Sequence, residues 1–139
     1  MYIAVTYDGK VQKSYASSCR KLEGPVGLDA SCELVVEVPD GPISYYESSY
    51  YDTASRGKIK SVGNVQIKYF DDMCYDFCKG RVSSIGNIEV WYYDTEAGRS
   101  ARGKVKYIND ILVEYYGDEF PSYKAGKPKQ VGHISVTIL

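Results

Sequence analysis

The stretch GKIKSVGNVQIKYFD, residues 57–71, returns almost unchanged as GRVSSIGNIEVWYYD in residues 80–94. Aligning on the first glycine gives two further copies, in residues 103–117 and, truncated, in residues 126–139. The copies begin at Gly57, Gly80, Gly103 and Gly126, a constant period of 23 residues. A constant period is typical of supersecondary units that stack because none of them buries its apolar face alone. The repetition therefore predicts how the chain is built.

Each copy has the pattern of a β-hairpin, in which a turn pair separates two short apolar segments. The turn pairs are Gly63-Asn64, Gly86-Asn87, Asn109-Asp110 and Gly132-His133, residue types that tolerate positive φ or bond their own backbone. After the turn, apolar residues occupy every second position, as in a strand with one buried face. The predicted core is Val65, Ile67, Tyr69, Ile88, Val90, Tyr92, Ile111, Val113, Tyr115, Ile134, Val136 and Ile138.

The length of the hairpin turn decides which residues share a face. A two-residue turn pairs Lys60 with Ile67, whereas a three-residue turn that includes Val62 pairs Ile59 with Ile67. The longer turn keeps the apolar residues of both strands on one side, so the sequence favours it. A continuous strand bent at a glycine bulge is the alternative.

The composition and the remaining segments indicate an all-β protein. Fifteen tyrosines stand against three phenylalanines and one tryptophan, and aromatic residues suit pleated strands. Further hairpins are predicted around Asp8-Gly9 and Pro39-Asp40-Gly41, with one helical turn within residues 18–30. We expect one domain over residues 1–139, with N-terminal hairpins in 1–56 and the four repeats in 57–139. About eleven strands then form an antiparallel meander, arranged as an up-and-down sheet, a barrel or a sandwich.

The repeat phrase G-[KR]-[IV]-x-x-[IV]-G-[NH]-[IV]-x-[IV]-x-Y, with its Tyr-Asp endings, resembles the tandem β-hairpin repeats of bacterial proteins in the style of YD repeats. The resemblance covers residues 57–139 and implies an extended or wound antiparallel sheet with a scaffold or shell role. MORN repeats share the period of 23 residues, but their Tyr-x-Gly-x-aromatic signature does not occur here. Lipid binding is therefore not implied.

Charge and hydropathy exclude several classes of function. The formal net charge is −1, so no global positive field holds the chain on nucleic acid or an anionic membrane. No apolar run approaches the roughly 18 residues of a membrane-spanning helix, and the alternating apolar and charged residues of positions 1–15 are not the pattern expected of a signal peptide. We expect a soluble, cytoplasmic protein whose first-strand lysines and arginines lie on a solvated face.

The outward positions of the second strands form two rows that could bind a ligand. One row holds Lys68, Trp91, Glu114 and Thr137, and the next holds Phe70, Tyr93, Tyr116 and Leu139. An exposed aromatic row marks a partner, a ligand or a second layer of the same protein. Either the N-terminal hairpins cover this face to make a sandwich, or it is open for a sugar or a protein.

The residues that usually carry catalysis form no recognisable constellation. His133 is the only histidine and occupies a turn position, so it supplies neither a catalytic base nor a metal set. The four cysteines, Cys19, Cys32, Cys74 and Cys78, have spacings unlike those of zinc sites, and free thiols are expected rather than a metal. A carboxylate pair for glycoside hydrolysis would come from strand ends and connectors: Asp71, Asp72, Asp76, Asp94, Glu96, Asp118 or Glu119.

Together these features predict a non-catalytic module without cofactors, which acts by binding or assembly. A carbohydrate-binding module that stacks sugars on Trp91, Tyr93 and Tyr116 is the first alternative. A small hydrolase with strand-end carboxylates is the second. The uncharged C-terminal stretch HISVTIL, residues 133–139, also favours self-association through the sheet edge.

Overall fold

The computed structural model describes residues 1–15, 20–71, 73–74 and 77–136. Those residues form fourteen antiparallel strands and no helix, which confirms the all-β prediction. No helix of this part of the chain is long and apolar enough to cross a membrane. The strands are β1 (Tyr2–Val5), β2 (Val11–Ser14), β3 (Arg20–Glu23), β4 (Val26–Leu28), β5 (Leu34–Glu37), β6 (Ile43–Tyr45), β7 (Ile59–Val62), β8 (Val65–Tyr69), β9 (Val82–Ile85), β10 (Ile88–Tyr92), β11 (Val105–Ile108), β12 (Ile111–Tyr115), β13 (Pro128–Val131) and β14 (Ile134–Ser135).

The strands form two open sheets. The first has five strands in the order β2-β1-β5-β4-β3, and the second has nine strands in consecutive order from β6 to β14. The nine-stranded sheet is the predicted up-and-down meander, but it is not closed, so the barrel alternative is wrong. Buried side chains of both sheets belong to one core cluster, which makes the molecule a sandwich.

The core follows the predicted alternation of the second strands. Of the twelve predicted side chains, Ile138 lies outside the described residues and eight are buried. Val65, Tyr92 and Tyr115 are half-buried and pack against the same cluster. The five-stranded sheet contributes Ile3, Val5, Val26, Leu28, Leu34 and Val36 from its own buried face.

The preference for a three-residue turn is wrong. A two-residue turn with a β-bulge in the first strand also keeps the apolar residues of both strands on one face. Val62 pairs with Val65, so the turn contains only two residues, the first of which, Gly63, has a φ of 57°. A positive φ at this position suits a type II′ turn. In the β6–β7 ladder the register skips Lys60, so Ile59 and Val62 both face the core although they are three residues apart. The same skip recurs at Ser83, Lys106 and Lys129.

The N-terminal third departs from the prediction in two places. The hairpin around Asp8-Gly9 is present as β1–β2, but the one around Pro39-Asp40-Gly41 is wrong. There β5 pairs with β1 and β4 while β6 pairs with β7, so this segment passes from one sheet to the other. Instead of a helical turn, residues 20–28 form the antiparallel pair β3–β4.

The repeat sheet begins one strand before Gly57. Tyr45 of β6 pairs with Ile59 as Tyr69 pairs with Val82 in the next copy. Strand β6 is therefore half a repeat, displaced by 24 rather than 23 positions from its counterpart in β8. This single extra residue hides the relationship from an alignment at constant period.

The turn between β1 and β2 fastens the two sheets together. The amide of Val82 donates to the carbonyl of Gly9 at 3.0 Å, and the amide of Val105 donates to the carbonyl of Tyr7 at 2.8 Å. The ring of Tyr7 also meets that of Tyr115 edge-on, with centroids 6.0 Å apart. The five-stranded sheet thus packs on the inner, Ile- and Val-rich face of the repeats and leaves the outer face open. The alternative in which N-terminal hairpins cover the outer aromatic rows is wrong.

Candidate binding face

Two aromatic side chains lie side by side at the centre of the open face. Trp91 of β10 pairs directly with Tyr107 of β11, and the two are 51% and 37% exposed. Phe70, at the end of β8, contacts Trp91 with ring centroids 5.8 Å apart. Cross-strand aromatic neighbours of this kind stabilise a sheet and fix each other's orientation. The three rings, which we call the aromatic cluster, pack against one another and form a partly solvent-exposed apolar surface.

A depression of about 470 Å³ adjoins this cluster at the end of β10. Its lining includes Tyr93, Lys106 and three carboxylates, those of Asp94, Glu96 and Glu114. The ammonium group of Lys106 lies 5.5 Å from the ring centroid of Tyr93 and 5.7 Å from that of Tyr107. Lys106 therefore connects the depression to the aromatic cluster through cation–π contacts. With three acidic groups and one basic group, the depression favours a cationic ligand.

Tyr93 is held in place by its hydroxyl group. It donates to the carbonyl of Val113, one hairpin further along the chain, at 2.7 Å. Burial raises the pKa of Tyr93, and the nearby charge of Glu114 acts in the same direction. The side chain is therefore neutral and held in one orientation, and it separates the aromatic cluster from the acidic depression.

The structure brings together most of the site residues predicted from the sequence. Phe70, Trp91 and Tyr93 lie in or beside the aromatic cluster, and Glu114 lines the depression. Lys68 is exposed opposite Ser84 on the same sheet. Tyr116 belongs elsewhere.

Tyr116 turns toward its own connector. Its ring packs edge-on against Phe120 at 5.0 Å, and Lys124 lies 4.5 Å from its centroid. This small group is separate from the aromatic cluster and is built within one repeat. Thr137 and Leu139, the last members of the two predicted rows, lie outside the described residues.

Tyr107 is the member of the candidate face that sequence reasoning missed. It stands in a first strand, where the other copies have Ser61, Ser84 and Gln130, so the repeat gives no aromatic signal there. Its position opposite Trp91 continues the register of the pair Val90 and Ile108, and the bulge at Lys106 lies directly next to it.

The cysteines do not form a metal set in the described residues. Cys74 and Cys78 are joined by a disulfide with Cα atoms 6.0 Å apart, so the expectation of free thiols is wrong for this pair. Cys32 is a half-buried free thiol whose sulfur accepts from Arg20 at 3.4 Å, and Cys19 lies outside the described residues. No group of three or more metal-ligating side chains occurs in the described part of the chain.

The strand-end carboxylates mostly cap turns. Asp71 accepts from the amide of Met73 and Asp94 from that of Glu96, both at 2.9 Å. Asp118 accepts from the amides of Arg99 and Ser100 in the preceding connector. A hydrogen bond from the Ser100 hydroxyl lowers the pKa of Asp118. These are local structural roles, while Asp72 and Asp76 lie outside the described residues.

No family model, curated protein or solved structure matches the chain. The fold and the face are therefore described by their own geometry. The molecule is a two-sheet antiparallel sandwich in which tandem hairpins present an open aromatic face.

Proposed function

We propose that the chain is a non-catalytic binding module that holds a protein partner on its open aromatic face. The observation that carries the proposal is the exposed pair of Trp91 and Tyr107, with Phe70 beside it. Tryptophan and tyrosine dominate the binding energy of protein interfaces because they bury a large area with few rotatable bonds. A contiguous apolar patch in a polar surround is typical of such an interface.

The acidic depression sets the chemistry of the partner. A basic side chain inserted there would meet the carboxylates of Asp94, Glu96 and Glu114 and the ring of Tyr93. An apolar residue next to it would pack on Trp91. The partner segment therefore carries an arginine or lysine beside an apolar or aromatic residue, and charge complementarity would fix its register.

Selection from a displayed peptide library tests the proposal. Peptides enriched on the intact protein are expected to contain the basic and apolar pair, and Trp91→Ala is expected to weaken them at least tenfold, about 1.4 kcal/mol. Tyr123→Ala is the matched control, since Tyr123 is 67% exposed but lies in the third connector. Peptides that bind both variants equally well would overturn the proposal.

A carbohydrate ligand is the second candidate, favoured by the exposed side chain of Trp91 on the outer face of the sheet. Aromatic faces stack against the C–H surface of sugars, and the carboxylates of the depression would accept hydroxyl hydrogen bonds. A glycan array with the intact protein and with Trp91→Ala separates the two candidates. Glycan binding that is lost in this variant, with no peptide selected, would replace the protein partner by a sugar.

A further inference from the structure

A second cavity, of about 570 Å³, lies on the inner side of the nine-stranded sheet. It is a cleft between the β1–β2 hairpin and the first two repeats, and it includes Gly57–Ile59 and Lys79–Arg81 in its lining. A cleft of this volume holds a small organic molecule. The aromatic face that forms the proposed partner site is on the opposite side of the sheet.

The cleft is strongly basic although the whole chain has a formal charge of −1. Among the described residues, its lining contains four cationic side chains, Lys10, Lys58, Lys79 and Arg81, and one carboxylate, Asp8, while Asp52 acts on Lys58 from nearby. Asp8 is only loosely paired, since its Oδ2 atom is 4.0 Å from the Nζ atom of Lys10. The formal charge of the lining, about +3, therefore matches a dianion better than a neutral ligand.

The lysine in the middle of the cleft is half-buried and lies near both negative and positive groups. Lys58 donates to the carbonyl of Gly80 at 2.6 Å and lies 5.2 Å from the ring centroid of Tyr69. Burial lowers the pKa of Lys58. The carboxylate of Asp52 raises it, and the positive charges of Arg81 and Lys10 lower it to a smaller extent. A bound anion would stabilise the charged form of this half-buried lysine.

One wall of the cleft is apolar. It contains Val11, Ile59, Tyr69 and the ring of Tyr45, which is 57% exposed. In the next two repeats the position of Ile59 is taken by Val82 and Val105, whose amides donate to the β1–β2 turn. The turn covers those repeats, whereas the first repeat faces the cleft. The cleft thus opens at the first repeat and ends where the second repeat begins.

From this cleft we infer a site for a small organic phosphate on the inner side of the sheet. The phosphoryl group lies among the ammonium groups of Lys10, Lys58 and Lys79, and a planar apolar body packs against Tyr45. Arg81 adds positive charge and, through its Nε atom, donates to the carbonyl of Asp8 at 3.0 Å, which holds the rim of the cleft in place.

Titration with phenyl phosphate, followed by calorimetry or by NMR shifts, tests this site. Phenyl phosphate is expected to bind about tenfold more tightly than inorganic phosphate, because only the ester reaches the apolar wall, and benzyl alcohol is expected to bind weakly or not at all. Lys79→Gln and Lys10→Gln should each weaken phenyl phosphate about three- to tenfold. Binding should also weaken as salt is raised.

Lys129→Gln is the matched control, since Lys129 is an exposed lysine of β13 outside the cleft. Equal affinities in Lys79→Gln and Lys129→Gln, or no binding at millimolar phenyl phosphate, would overturn the inference. Equal affinities for inorganic phosphate and phenyl phosphate would overturn the assignment of an organic phosphate, because the apolar residues of the cleft would then add nothing to binding. Trp91→Ala should leave phenyl phosphate binding intact, so this test is independent of the proposed partner site.

Discussion

Lys104 donates from its ammonium group to the carbonyl of Gly126, 22 residues further along the chain, at 2.5 Å. Lys58 makes the same bond to Gly80 at 2.6 Å, and each lysine also lies over the ring of a repeat tyrosine. The second residue of one copy thus binds the glycine that opens the next copy. The solvated face expected for these lysines is wrong for Lys58 and Lys104, which are half-buried.

Alanine at the repeat glycines separates the cost of backbone conformation from the cost of this contact. Gly57 has a φ of 73° and nothing within 4 Å of an added Cβ, so Gly57→Ala should cost about 1–2 kcal/mol of unfolding free energy. At Gly126 the φ is 80° and the added Cβ would lie 2.6 Å from Lys104 Nζ. Gly126→Ala should therefore cost about 1 kcal/mol more.

Urea unfolding of both variants measures the difference. A double variant that adds Lys104→Met to Gly126→Ala removes the displaced ammonium group. Adding Lys104→Met to Gly126→Ala should lower the unfolding free energy by less than Lys104→Met lowers it in the parent protein, because the two substitutions share one contact. Equal destabilisation at Gly57 and Gly126 would contradict the role of the lysine bridge.

The repeat tyrosines bind the first strand of their own hairpin. Tyr115 donates to the carbonyl of Val105 at 2.8 Å, as Tyr69 and Tyr92 do to the residues ten places before them. Tyr115→Phe should cost about 1–2 kcal/mol, because it leaves a carbonyl inside the sandwich without this donor. Tyr107→Phe on the open face should change stability by less than about 0.5 kcal/mol. Thermal unfolding of the two variants makes the comparison. If Tyr115→Phe left the stability unchanged, the hydrogen bond to Val105 would not contribute as predicted.

Alkaline pH should unfold the protein through its buried tyrosines. Burial raises the pKa of Tyr7, Tyr69, Tyr92 and Tyr115 above the ordinary value of about 10. Below that pH both states are protonated and the full stability is present. Above it the unfolded chain loses protons that the folded chain keeps, so the unfolding free energy falls as pH rises.

Urea unfolding at several pH values between about 9 and 11 measures this slope, and tyrosinate absorbance reports which rings ionise. Tyr115→Phe should reduce the slope, whereas Tyr123→Phe should not, because Tyr123 is exposed. Titration of all the tyrosines near pH 10, without loss of structure, is the result that would argue against buried hydroxyl groups.

The turn at Gly9 should make the two sheets unfold together. Its φ is 86°, and an added Cβ would lie 2.5 Å from the Tyr92 hydroxyl oxygen and 2.7 Å from Arg81 Cβ. Gly9→Ala should therefore cost about 3 kcal/mol or more, by strain at the turn and separation of the sheets. Gly24→Ala, at a turn with a φ of 54° and open space, should cost only about 1 kcal/mol.

Two probes check the cooperativity of this variant and of the parent protein. Trp91 fluorescence reports on the nine-stranded sheet, and far-ultraviolet circular dichroism reports on both sheets. Coincident transitions would agree with a single domain. An early transition seen only by circular dichroism would mean that the five-stranded sheet unfolds alone.

The second strands were predictable because apolar residues occupy every second position, and the same alternation recurs in each of the four copies. The bulge at Lys60 was not, since it places Ile59 and Val62 on one face without any change in composition. Turn chemistry at residues 39–41 was equally ambiguous. It predicts a reversal of the chain, but it does not say whether the strand that follows joins the same sheet.

The candidate face was predictable only in part. Trp91 and Phe70 were found because they belong to the two outward rows predicted for the strongly periodic second strands. Tyr107 was missed because its copies are polar, and the basic cleft was missed because its residues come from distant segments. Lys10 and Lys79 are 69 positions apart in the chain, and only the packing of the two sheets brings them to one cavity.

Trp91 provides a direct measurement of whether the aromatic face is open. With the ring 51% exposed, its emission should be red-shifted and readily quenched by acrylamide at low protein concentration. Trp91→Ala should then change the unfolding free energy by less than about 1 kcal/mol. Tyr93→Ala should cost about 2 kcal/mol, because Tyr93 is half-buried and bonds Val113.

A concentration series extends this measurement to self-association. If the emission becomes blue-shifted and protected only at high concentration, with a matching rise in mass by light scattering, a second copy covers the face and is itself the protein partner. If the tryptophan stays accessible while the mass rises, the copies pair through another surface, such as the sheet edge at β14. A tryptophan that is protected in the monomer would contradict the open face and remove the basis of the proposed partner site.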